Sequence, residues 1–138
     1  MRITRRAEFS ASHFCALPHL TPEENRALYG EAANPHGHGH NYIVEVTLEG
    51  EPDPVTGMVM DLKILKDVIH QQVIEPMDHR FLNHEVPPFD KVVPTAENLA
   101  REIYRRLEPE LRLPNAHLNS VRIFETEDQW AEYAGGQA

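Results

Sequence analysis

Asn34-Pro35-His36-Gly37-His38-Gly39-His40-Asn41-Tyr42 runs without a break into Ile43-Val44-Glu45-Val46-Thr47-Leu48, and the rest of the chain can be laid out from there. The second half alternates apolar and polar residues, the pattern of a strand buried on one face. Side chains two apart on a strand share a face. His38 and His40 therefore point the same way as Tyr42, Val44, Val46 and Leu48. A pair of parallel imidazoles at the mouth of a half-buried strand is most of a metal site, and neutral imidazole is zinc's commonest nitrogen ligand. The plainer alternative is a solvated loop whose histidines bond locally. Glycine between the rings removes bulk, which predicts close approach of a metal or ligand to the backbone.

Working backwards, residues 2–13 read as a strand with Ile3, Ala7, Phe9, Ala11 and His13 on one face, broken only by Arg5. His13 ends an apolar face much as His38 begins one. It supplies the natural third ligand, since catalytic zinc uses three protein ligands and keeps a position open. Between them lies a long excursion with Pro18, Pro22, Gly30 and Pro35. Within it Thr21-Pro22-Glu23-Glu24 has the form of a capped helix start.

Working forwards, the second strand spans about 40–49 and the turn-rich run from Glu51 to Gly57 follows. Met58-Val59-Met60 is expected to return as a short third strand. Asp61 caps a helix whose apolar stripe is Leu62, Leu65, Ile69 and Val73, stopped by Pro76. Asp78-His79 follows the stop. A second helix begins at Thr95 and ends near Pro109, with Leu99, Ala100, Ile103 and Leu107 on its stripe. Ser120–Thr126 is a strand placing Val121, Ile123 and Glu125 on one face, and Trp130–Tyr133 is expected as a closing edge strand. The order ββααββ predicts an α+β fold, an antiparallel sheet with two helices on one face, in a single domain over residues 1–138. The open edges of a small sheet predict closure by oligomerisation.

The composition narrows the function. With 138 residues, 41% hydrophobic and 25% charged, the chain is ordinary for a folded soluble protein. A net charge of −9 argues against a nucleic-acid surface, which needs clustered Lys and Arg. No apolar run is long enough for a membrane span, and Met1–Arg6 lacks the apolar core of a signal peptide. The lone Cys15 excludes an internal disulfide, so a cytoplasmic setting is expected.

Two further groups carry potential chemistry. Asp78 beside His79 can orient and charge-stabilise an imidazole for proton transfer, although a turn pair would look the same. Glu125, closing an apolar strand face, can bind a planar donor edge, or be a plain strand-end glutamate. A cupin-like site using Glu45 with the histidines is disfavoured, since strand alternation turns Glu45 to the other face.

Taken together, these stretches resemble the 6-pyruvoyl-tetrahydropterin synthase and 6-carboxytetrahydropterin synthase family over almost the whole chain. The likeness lies in Phe9-Ser10-Ala11-Ser12-His13, in Gly30 through Tyr42, in Asp53 through Met60, in Asp78-His79, in Val93 through Asn98 and in Phe124-Glu125-Thr126. The resemblance implies a tunnelling fold, three chains closing a β-barrel and two rings stacking into a homohexamer. It implies zinc on His13, His38 and His40, and Glu125 holding the amino-pyrimidine edge of a pterin with help from Thr95 and Glu97. Asp78 and His79 would relay protons in a site shared between neighbouring subunits. The implied reaction is that of a carbon–oxygen lyase. It eliminates triphosphate from 7,8-dihydroneopterin triphosphate, giving 6-pyruvoyl-tetrahydropterin or, in the related branch, 6-carboxytetrahydropterin.

One position departs from the family. Its general base is a cysteine in the loop before the zinc histidines, and aligning Gly30 with Asn34-Pro35 places Ala32 there. Three explanations stay open. Alanine is a deliberate replacement of the kind used to trap substrate. Alternatively, Glu31 is the base, as glutamate is in a branch that cuts the side chain to 6-hydroxymethyl-dihydropterin. Or Cys15 serves from the other wall. A chain left with no base at all would be a zinc-stabilised pterin-binding protein.

Overall fold

The computed structural model describes residues 1–136. Its centre is a five-stranded sheet in the order β3-β1-β2-β4-β5. The strands are β1 (Arg2–His13), β2 (His38–Gly50), β3 (Arg80–Phe81), β4 (Ala116–Thr126) and β5 (Gln129–Tyr133). β1 and β2 run antiparallel in unbroken register from Arg2↔Glu49 to His13↔His38. β2 pairs antiparallel with β4, and β4 with β5. The excursion after β1 holds α1 (Pro22–Tyr29), where Thr21 and Glu24 form a reciprocal capping box and Pro22 occupies the first turn.

The structure corrects two expectations about strands. Met58–Met60 is irregular chain, and the third strand in sequence is instead Arg80–Phe81, parallel to β1. Two residues show no periodicity, so this strand leaves no sequence signal; it exists because it pairs with Ala11 and Ser12. Two helices were expected after β2; α2 (Leu62–Ile69) and α5 (Ala96–Leu107) carry that layer, with short turns α3 (Glu75–Met77) and α4 (Leu82–Glu85) between. Pro76 sits within the last turn, and the helix ends at Met77. Between α2 and α3 the backbone opens into a π-turn over His70–Ile74. Leu65, Ile69, Val73 and Met77, spaced by four, are all fully buried. An unbroken α-helix advances ~400° over four residues, so such a stripe would drift off the face. The single wide turn takes up that excess.

One face of the sheet is dry. Phe9, Tyr42, Val44, Val46, Leu48, Val121 and Ile123 pack there against Leu65, Ile69, Val73, Leu99, Ile103 and Leu107. Fully burying each Val, Leu, Ile or Phe contributes roughly 1.5–3 kcal/mol. The other face is polar: Thr4 bonds Thr47 at 2.7 Å, and Arg6 and Arg122 pair with Glu45 and Glu132. The alternation of β2 thus delivers Tyr42 inward, and His40 and His38 to the open end of the same inner face.

Candidate metal centre

His13 closes β1, and His38 and His40 open β2 directly opposite. One nitrogen from each ring lies within 4.8 Å of the other two. His13 Nε2 is 3.1 Å from His38 Nε2, close to the roughly 3.3 Å edge of a tetrahedron with ~2.05 Å bonds. The ring centroids are 4.6, 5.1 and 4.9 Å apart, all edge to face.

The protonation pattern suits a cation. His13 is 1% exposed, and its Nδ1 lies 2.7 Å from the carbonyl oxygen of Pro94. Nδ1–H donates to that carbonyl, so Nε2 presents its lone pair to the other rings. Burial pulls the His13 pKa down to about 4, and the neighbouring imidazoles add to this against the Pro94 bond. His40 is also lowered, first by burial. His40 Nε2 is a buried atom with no hydrogen-bond partner among the described residues. Glu125 Oε2 is 3.2 Å away, outside bonding direction. An orphaned imidazole nitrogen on a ring grouped with two others fits a zinc ion, which takes neutral imidazole ligands.

Glu125, at the end of β4, stands between this centre and a cavity of about 480 Å³ lined by Ala96, Glu97, Glu125, Gln129, Trp130 and Glu132. That volume suits a drug-sized ring system. Glu125 and Glu97 therefore meet there. Thr95 lies at the same end of α5, where its hydroxyl accepts the Asn98 amide as the helix cap. Its proton remains free to donate.

The dyad lies elsewhere. Asp78 Oδ1 accepts the Ser10 amide at 2.9 Å and Oδ2 is 3.0 Å from His79 Nδ1. The Ser10 amide leads the groups that keep the Asp78 carboxyl below its usual range. Adjacent side chains ordinarily diverge; His79 meets Asp78 with its backbone at φ 60°, a region few non-glycine residues occupy. Its side chain is 83% exposed at the β1 edge. Among the described residues no hydrogen bond or ring contact joins this pair to the three histidines.

The candidates for a base lie in and beside the loop before His38. Glu31 is exposed and paired with Arg26 at 2.6 Å. Ala32 offers its carbonyl to the Cys15 amide at 2.7 Å. Cys15 is buried, and burial, with Glu125 and Glu97 adding, pushes its thiol up to about 11. A thiol protonated through the neutral range is a small apolar wall residue. Glu45 pairs with Arg6 at 2.6 Å on the polar face, as alternation predicts.

The glycine expectation needs correcting. A Cβ on Gly39 would meet the Ala11 carbonyl of β1 at 3.4 Å, and one on Gly37 would meet Phe81 at 2.7 Å. Both glycines admit neighbouring chain, and neither space belongs to a metal. Pro94 went unnoticed as a partner because it acts through its main chain, which no side-chain pattern reveals.

A family model described as 6-pyruvoyl tetrahydropterin synthase matches residues 2–136. The 6-pyruvoyl tetrahydrobiopterin synthase of Homo sapiens is 44% identical over 134 residues, 97% of this chain and 91% of that one. The protein of that name from Poecilia reticulata is 46% identical over 133 residues, 96% of this chain and 89% of the other. The structure of Caenorhabditis elegans 6-pyruvoyl tetrahydropterin synthase superposes with a TM-score of 0.92 at 37% identity, covering 99% of this chain and 96% of that one.

Proposed function

Because the chain belongs to the 6-pyruvoyl tetrahydropterin synthase family, we propose that it is a zinc-dependent lyase that eliminates triphosphate from 7,8-dihydroneopterin triphosphate. The observation that carries this reading is the convergence of three imidazoles beside a cavity walled by Glu97 and Glu125.

His13, His38 and His40 would hold the ion. Bound there, zinc supplies a Lewis acid for the hydroxyl oxygens of the substrate side chain. Glu125 accepts the donor edge of the amino-pyrimidine, with Glu97 and the Thr95 hydroxyl alongside. That contact holds the ring beside Glu125, with its side chain toward the three imidazoles. Asp78 orients His79, whose imidazole moves protons as the double bond shifts and triphosphate leaves. The dyad's place on an edge, apart from the histidines of its own chain, supports a site completed by a neighbour. Three chains would close a barrel and two rings would stack into a homohexamer. The buried lone thiol supports a cytoplasmic setting.

Ala32 carries no exchangeable proton, so turnover is expected to be slow. General acid–base catalysis contributes roughly 10²–10⁴-fold, and Ala32→Cys should recover at least about tenfold of it. Mass analysis of products with and without zinc tests the reading. Free triphosphate and the pyruvoyl pterin are expected with zinc alone, and His40→Ala should lose both metal and product. Substrate that binds but never releases triphosphate would leave a zinc pterin-binding protein. Side-chain cleavage with triphosphate retained would make Glu31 the base of a hydroxymethyl-forming enzyme.

A further inference from the structure

The segment carrying the dyad is joined to the end of β1 along its whole length. Ser10 donates its amide to Asp78 and accepts that of His79 at 2.6 Å. Arg80 and Phe81 then pair with Ala11 and Ser12. Asn83 closes the row: its Oδ1 accepts the Phe14 amide at 2.9 Å and its Nδ2 donates to the Phe14 carbonyl at 3.0 Å.

Phe14 directly follows His13, and the β1–β2 pairing ends at His13↔His38. Beyond that point β1 has no β2 partner. The carboxamide of Asn83 stands in for one, offering one donor and one acceptor as a strand residue does. Two places earlier, the Phe81 ring fills the space beside Gly37, the residue before His38. One short segment thus braces the chain next to two of the three imidazoles, and the same segment bears Asp78 and His79. We propose that Asn83 is a positioning residue for the metal centre, holding His13 toward His38 and tying that centre to the dyad. The inference rests on the zinc reading above.

Two requirements follow from the geometry. Leucine at position 83 keeps the shape and leaves both Phe14 backbone groups unpaired. Aspartate keeps the acceptor but sets a carboxylate against the Phe14 carbonyl. Outer-shell partners of metal ligands typically contribute 10–100-fold to affinity. Acting through a neighbouring backbone, Asn83 is expected at the low end.

The test is uptake of cobalt(II) by the purified full chain, read by its visible spectrum and by competition with a chelator. Asn83→Leu and Asn83→Asp should bind about tenfold more weakly, with a shifted visible band. Asn115→Leu is the control, since Asn115 makes two comparable bonds, to Glu51 and Val59, elsewhere in the fold. It should bind cobalt as the unsubstituted chain does. If the Asn83 variants do not fold, amide exchange in the unsubstituted chain decides: adding zinc should slow exchange at Phe14 and His79. Folded Asn83 variants with unchanged affinity and spectrum overturn the proposal, as does exchange there that ignores zinc. An unsubstituted chain that takes up no cobalt overturns this proposal and the zinc reading together; normal uptake with insensitive variants overturns this proposal alone.

Discussion

Gly37 and Gly39 alternate with the same histidines, yet they do different work. Gly37 has φ +78° and no room for a Cβ against Phe81, whereas Gly39 has ordinary strand dihedrals and a Cβ contact at the edge of tolerance. Gly37→Ala should therefore destabilise by about 1–3 kcal/mol and weaken metal binding, because both φ and packing are violated. Gly39→Ala should change either by less than half as much. Thermal melts and metal titration of the pair separate them. At this scale the grouping of the three imidazoles was legible, because alternation dictates which of them share a face. The reason for the glycines was not, since it depends on Phe81 for Gly37 and on Ala11 for Gly39, 44 and 28 positions away in sequence and brought near only by folding. Asp78-His79 was legible as a pair but not in its placement, which follows from an unusual φ.

Among the elements, α5 shows how a helix with a polar sequence is held. Glu102 is only 6% exposed and bonds both Arg105 and Arg106, the latter also reaching the carbonyl of Pro87. Burial alone would raise the Glu102 pKa, but the arginines outweigh it and the carboxyl is lowered. A lowered carboxyl stabilises the fold above its unfolded value of about 4.3, and that contribution is lost as pH falls through the folded value. Glu102→Gln should thus destabilise by about 1–3 kcal/mol at pH 7, Arg105 being largely exposed, and the difference from the unsubstituted chain should close below pH 4. Denaturant melts across that range check it. The apolar stripe of α5 could be read from periodicity, whereas that of α2 begins at Leu65, Leu62 being 41% exposed, and runs on to Met77. The π-turn could not, because the stripe's four-residue spacing is as natural to a drifting helix as to one with a wide turn. β3 lacked enough residues to show any period.

The whole molecule pairs one dry face of a sheet with a helical layer and leaves the other face lined with ion pairs. The strands β1, β2, β4 and β5 were readable from alternation, while the β2–β4 pairing and the parallel edge, which join residues far apart in sequence, were not. Residues Asp78 and His79, exposed at that edge, belong to an assembly in our reading. Light scattering of the purified chain should give a mass near six times that of one chain; a stable monomer with full activity would remove the shared site. One contact spans the molecule more than any other at the centre: His13 near the start and Pro94 far along the chain meet at 2.7 Å. A ribosome-bound chain halted before residue 94 already contains all three imidazoles but lacks the acceptor that selects the tautomer of the first. In the zinc reading, capture of the ion with the first imidazole in this tautomer waits for the chain to reach residue 94.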